Sequence, residues 1–126
     1  MIRISAKIEV RENSIVANLS HDFGRYYLSL LPKYLKVNGQ RYTPHITIVR
    51  SFECPNKTKW VSYNEQLITV VYEPLIKFDG TYYFLDCYSE EISRIRLEQG
   101  LERYRMYECY HITIGNTKCN PYGIDG

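Results

Sequence analysis

Apolar and polar residues alternate from the first turn of the chain onward. Ile2, Ile4, Ala6, Ile8 and Val10 are separated by Arg3, Ser5, Lys7 and Glu9, the period-two pattern of a strand with one buried face. Arg11-Glu12-Asn13 makes a short turn, and Ser14 to Leu19 reads as an antiparallel partner. Ser20 is a helix cap, followed by Phe23, Tyr26, Tyr27, Leu30, Leu31 and Tyr34 at helical spacing. Pro32 is expected to kink or end that helix, because an interior proline loses a hydrogen bond and clashes with the preceding turn. Asn38-Gly39 marks a turn, and a short apolar strand begins at His45. Residues 51–66, with Pro55 and a polar cluster, read as a connection holding one short helical turn.

Strands resume at Leu67 to Tyr72 and at Leu75 to Phe78. Asp79-Gly80 predicts a two-residue hairpin turn, with a return strand from Thr81 to about Cys87. Ser89, with Glu90 and Glu91 behind it, opens a second helix whose buried positions are Ile92 and Ile95, and Gly100 stops it. A final short strand starts at His111, and the tail from Asn116 is turn-rich without a regular pattern. Strand, strand, helix, strand therefore occurs twice, which predicts an α+β fold with an internally duplicated chain.

Each half ends on the same tetrapeptide. His45-Ile46-Thr47-Ile48 is repeated 66 positions later as His111-Ile112-Thr113-Ile114. With three His, 13 Ile and seven Thr in the chain, two such matches by chance have a probability on the order of one in a million. In a strand the isoleucines face one way and His and Thr the other, so each copy buries two isoleucines and presents an imidazole beside a hydroxyl. Imidazole exchanges protons near neutrality, and two of them on one ligand supply an acid and a base in the same step. Gly115 follows the second copy where Val49 follows the first, which predicts an asymmetric site with room for a ligand against the backbone.

Composition narrows the partners. The chain of 126 residues suits one domain. A net charge of +2 is too small for a sequence-independent grip on long nucleic acid, whereas a small anionic ligand fits. The 13 tyrosines suit a small core with a wet, ligand-facing cleft. Cys54, Cys87, Cys109 and Cys119 have no metal-ligand spacing and define no disulfide pairing. The alternating N-terminus argues against a signal peptide, and no apolar stretch approaches the ~18 residues of a membrane span. A reduced, cytoplasmic protein with no membrane association is the expectation.

The paired His-x-Thr motifs, with apolar residues between and after and with Pro44 before the first, resemble those of the 2H phosphoesterase superfamily. The resemblance lies in motifs and element order over residues 1–118. It implies two pseudo-symmetric lobes of antiparallel sheet, roughly residues 1–55 and 64–118, with helices outside and both motifs facing a central cleft. It implies metal-independent phosphodiester chemistry on 2′,3′-cyclic phosphates, 2′-5′ linkages or, as in some viral members, cyclic or 2′-5′ oligonucleotide immune signals, with no cofactor. His45 and His111 are then the acid and base, and Thr47 and Thr113 the phosphate ligands. Arg50 and Lys118 are candidates to neutralise phosphate charge, although a straight strand would turn Arg50 away from His45. Tyr42 and Tyr110 are candidates to stack on a base. His21 reads as a surface or capping residue and Cys109 as packing. No metal is expected, since no third carboxylate or cysteine stands at ligand spacing from the histidines. The competing reading is a module that binds and sequesters such nucleotides without cleaving them.

Overall fold

The computed structural model describes residues 1–39, 43–53, 55–104 and 109–118. Eight strands and three helices follow in the order β1 (Ile2–Val10), β2 (Ile15–Asn18), α1 (His21–Ser29), β3 (Asn38–Gly39), β4 (His45–Val49), α2 (Trp60–Tyr63), β5 (Leu67–Tyr72), β6 (Lys77–Phe78), β7 (Tyr82–Tyr88), α3 (Glu90–Glu98) and β8 (Tyr110–Asn116). The α+β class holds. The strands form one antiparallel sheet in the order β3-β8-β7-β5-β1-β2-β4, with β6 paired to β7, and the sheet runs through both halves of the chain. It curls, so that β4 and β8, far apart in that order, come into contact.

Register shows why the sheet has two unlike faces. Across the first half Ile8 pairs with Ala17 and Ala17 with Ile46, and across the second Leu85 pairs with Ile112. Directly opposed residues share a face, and this face carries the core, closed by Tyr27 of α1, Trp60 and Tyr63 of α2, and Ile92 and Ile95 of α3. The other face carries the polar rows: Lys7, Asn18 and His45 in one, Asp86 and His111 in another.

Both predicted caps form. Ser20 Oγ accepts from the Phe23 amide and Ser89 Oγ from the Ile92 amide, each at 3.3 Å. Helix α1 ends at Ser29, before Pro32, and only part of its expected apolar stripe is covered: Tyr27 is buried, while Tyr26, Leu30 and Tyr34 are exposed. The predicted strand from Leu75 shortens to Lys77–Phe78 because Leu75 turns back to the Glu73 carbonyl. The hairpin turn falls one residue later than expected. Asp79 N–H donates to the Tyr82 carbonyl, leaving Gly80 (φ +105°) and Thr81 as the turn.

Asn38-Gly39 is a correction of another kind. It is no hairpin turn but strand β3, paired with Asn116 and Gly115 of β8. The space at Gly115 is therefore taken by protein and not by a ligand, because a Cβ there would lie 2.6 Å from Val37 Cγ1 and 2.7 Å from the Asn38 carbonyl oxygen. The glycine allows a backbone to come close, as its lack of a side chain suggested, but the backbone is the chain's own. No helix among the described residues is long and apolar enough to cross a membrane.

Candidate active site

Where β4 and β8 meet, their polar faces line one cavity of about 710 Å³. His45 and Thr47 reach it from β4, and His111 and Thr113 from β8. All four are half-buried, while Ile46, Ile48, Ile112 and Ile114 are buried in the core, so the alternation read in the two tetrapeptides holds at both strands.

The histidines stand in different surroundings. His45 Nδ1 is 3.0 Å from the Thr43 carbonyl oxygen. A carbonyl only accepts, so Nδ1 carries the proton and Nε2 is the nitrogen free to exchange one. His111 Nε2 faces Asp86 Oδ1 at 3.4 Å and Cys109 Sγ at 3.8 Å, and its ring meets Phe84 edge-on at 4.7 Å between centroids. Burial holds His111 below the ordinary imidazole value; Asp86 and Asp79 oppose that, and Lys77 and Arg50 reinforce it. Burial, with help from the Asp86 carboxylate, pushes the Cys109 thiol up to about 11.

Of the other residues singled out in the sequence, Arg50, Cys109 and Tyr110 line the cavity, whereas Lys118 and His21 do not. Arg50 lines the cavity because β4 ends at Val49 and the alternation ends with it. Lys118 is not in the cavity lining; its ammonium stands 4.9 Å from the centre of the ring of Tyr82, which is. Tyr110 points its ring into the core at 7% exposure, where its hydroxyl donates to the Arg103 carbonyl at 2.6 Å and bonds Ser93 Oγ. Its side chain is thus committed to packing rather than presented for stacking. Tyr42 lies outside the described residues, as do Cys54 and Cys119. His21 opens α1, with Nε2 3.2 Å from Thr43 Oγ1.

Several lining residues drew no attention in the sequence. Lys77 of β6 forms an ion pair with Asp86 of β7, and Tyr82 and Phe84 add aromatic surface. Asp86 had a local signal, a lone carboxylate on the outward phase of an otherwise apolar strand, but its position opposite His111 depends on register. Asp86, Cys109 and His111 also overturn the premise that no third ligand stands near the histidines: their ligand atoms lie within 4.8 Å of one another. The tyrosines divide between core and surface: of the ten described, Tyr27, Tyr63, Tyr72, Tyr83 and Tyr110 are buried, and Tyr82 and Tyr110 line the cavity.

Arg96 of α3, almost fully buried, lines the cavity together with Glu53. It donates to the Ile48 carbonyl at 2.6 Å, to Glu53 at 2.9 Å and to the Glu102 carbonyl at 2.7 Å. It fixes the end of β4 just beyond Thr47. Gly24 of α1 fixes the beginning: a Cβ there would lie 2.6 Å from Pro44 Cγ, so the helix backbone rests against the residue preceding His45.

No family model, no curated protein and no solved structure matches this chain.

Proposed function

We propose that the protein is a metal-independent phosphodiesterase acting on a small nucleotide or oligonucleotide phosphodiester, a 2′,3′-cyclic phosphate, a 2′-5′ linkage or a cyclic oligonucleotide. The observation that carries this reading is the convergence of two imidazole and hydroxyl pairs, His45 with Thr47 and His111 with Thr113, on one cavity from strands of different halves. Water or a ribose hydroxyl attacks phosphorus in line with the leaving oxygen. One histidine takes the proton of the nucleophile, the other gives a proton to the leaving oxygen, and the threonine hydroxyls donate to the non-bridging oxygens. Each acid or base contributes ~10²–10⁴-fold, and hydrogen bonds to the developing charge add more. Arg50 and Lys77 bring positive charge to the same cavity, and Phe84 and Tyr82 bring ring faces for a base. A volume of about 710 Å³ lies within the range of small-molecule sites.

The two-lobe reading belongs to the same proposal. It is supported by the strand order, in which β5, β7 and β8 run outward on one side of the β1–β5 pair as β1, β2 and β4 do on the other, with β3 and β6 as additions on the β7–β8 side alone. The helices correspond too, with α1 against β8 and α3 against β4.

The test is incubation of the protein, with chelator present, with 2′,3′-cyclic nucleotides, 2′-5′ oligoadenylates and cyclic dinucleotides, followed by product identification by mass. Product should accumulate in excess over protein, and His45→Ala and His111→Ala should each lower the rate by at least ~10²-fold with the fold intact. Stoichiometric binding without turnover would favour the sequestering reading and sink the enzyme.

A further inference from the structure

The Asp86 side of the cavity brings two groups that acid and base chemistry does not use, Asp86 and Cys109, up to His111. His111 Nε2 is 3.4 Å from Asp86 Oδ1 and 3.8 Å from Cys109 Sγ. Around a tetrahedral zinc ion with Zn–N and Zn–O near ~2.1 Å and Zn–S near ~2.3 Å, nitrogen and oxygen stand about 3.4 Å apart and nitrogen and sulfur about 3.6 Å. The two spacings from His111 Nε2 fall within about 0.2 Å of these values, and all three ligand atoms lie within 4.8 Å of one another.

Two of the three ligands stand on paired strands. Asp86 and His111 are directly opposed on hydrogen-bonded strands β7 and β8, and Cys109 lies two residues before His111, immediately ahead of β8. Lys77 pairs with Asp86 Oδ2, while Oδ1 is the oxygen nearer His111. An outer partner of this kind orients a ligating carboxylate. The donor set of one thiolate, one imidazole and one carboxylate suits zinc rather than magnesium or calcium, which take oxygen ligands.

We propose that Asp86, Cys109 and His111 form a three-ligand Zn²⁺ site whose fourth position faces the cavity. Cys109 gives up its thiol proton to solvent as the Zn–S bond forms, and His111 binds through Nε2. One consequence rests on the two-histidine reading: an ion held by His111 removes that imidazole from proton transfer, so zinc and the phosphodiester reaction compete for the same ring.

Binding is measured on the full chain without reference to activity. Zn²⁺ is titrated against a chromophoric chelator, and Co²⁺ is titrated with its absorption recorded. One equivalent should bind, with the visible bands of tetrahedral Co²⁺ and a sulfur-to-cobalt charge-transfer band in the near ultraviolet. Cys109→Ser should abolish the charge-transfer band, and it and Asp86→Asn should each weaken Zn²⁺ binding at least tenfold with an unchanged circular dichroism spectrum. No binding, an octahedral Co²⁺ spectrum in the unaltered protein, or a charge-transfer band that survives Cys109→Ser overturns the site. The unaltered protein's Co²⁺ spectrum decides even if a variant does not fold. If phosphodiesters are turned over, one equivalent of Zn²⁺ should suppress the rate and chelator restore it; undiminished turnover with zinc bound overturns the competition for His111. Absence of turnover on every substrate counts against the phosphodiesterase alone and leaves the metal titration to stand by itself.

Discussion

Replacing Arg96 with methionine removes one guanidinium and keeps most of the stem, and the structure sets what that should cost. The side chain is 5% exposed and its partner Glu53 10%, so water does little to replace the pair. Loss of the guanidinium takes the cation from a buried carboxylate and a donor from the Ile48 carbonyl. Breaking one side of a buried ion pair costs about 3–5 kcal/mol, and the carbonyl's lost partner is contained within that figure rather than added to it. For a chain of 126 residues this corresponds to a fall in melting temperature of roughly 10–20 °C. Urea unfolding, with its midpoint lowered and its slope unchanged, gives the free energy directly. Adding Glu53→Gln to Arg96→Met removes the stranded charge, and the double variant should recover at least ~1 kcal/mol. A single-variant loss under ~1 kcal/mol, or a double variant no more stable than the single, would refute the view that this pair clamps α3 to the end of β4.

Two further expectations follow from the same geometry. Gly24→Ala sets a helix-propensity gain of about 1 kcal/mol against a contact with a stiff proline ring at 2.6 Å, where overpacking costs ~1–3 kcal/mol. Stability should fall by no more than ~2 kcal/mol in urea, while turnover of a phosphodiester falls at least tenfold as Pro44 moves His45; normal turnover with the same stability would detach α1 from the placement of His45. The second concerns pH. The amides of Tyr82 and Thr81 hold Asp79 below its ordinary carboxylate value, so its contribution is complete above about pH 4 and is lost as pH falls through the lowered value. Asp79→Asn should flatten the acid limb of stability against pH and match the unaltered chain below that limb, as read from urea midpoints between pH 2 and 7.

The parts of the fold that were legible are those written in local chemistry. The β1 alternation, the Ser20 and Ser89 caps and the Gly80 turn each depend on neighbours within four residues, and all are found within a residue or two of their expected places. The two histidines and two threonines were legible for the same reason, since period-two alternation sends them to one face. What failed depends on register and long-range approach. Asn38-Gly39 has turn chemistry, but pairing with Gly115 draws it into the sheet. Tyr110 adjoins His111 in sequence and lines the cavity, but by that same alternation its ring packs in the core. Asp86 becomes a neighbour of His111 only once β7 and β8 are aligned, and Arg96 reaches β4 from a helix 48 residues further along.

The helices explain why the two motifs cannot be treated as independent parts. Helix α1 precedes β4 in the chain yet packs against β8, and α3 precedes β8 yet packs against β4. Each motif strand is therefore held by a helix from the other half. Half a chain of this length would bury too little apolar surface to be secure alone, and crossing the helices makes the same core support both strands. A cavity between two strands that lie far apart in a curled sheet opens or closes with small changes in curl, and the crossed helices resist that change from both sides. The polar contacts fall where this restraint must be stiffest. Arg96 ties α3 to the Ile48 carbonyl, and Tyr27 of α1 bonds the Tyr72 hydroxyl of β5 at 2.7 Å, with Phe23 set edge-on to the same ring. Loosening either helix should disturb His45 and His111 together, because the separation between the two imidazoles belongs to neither strand alone.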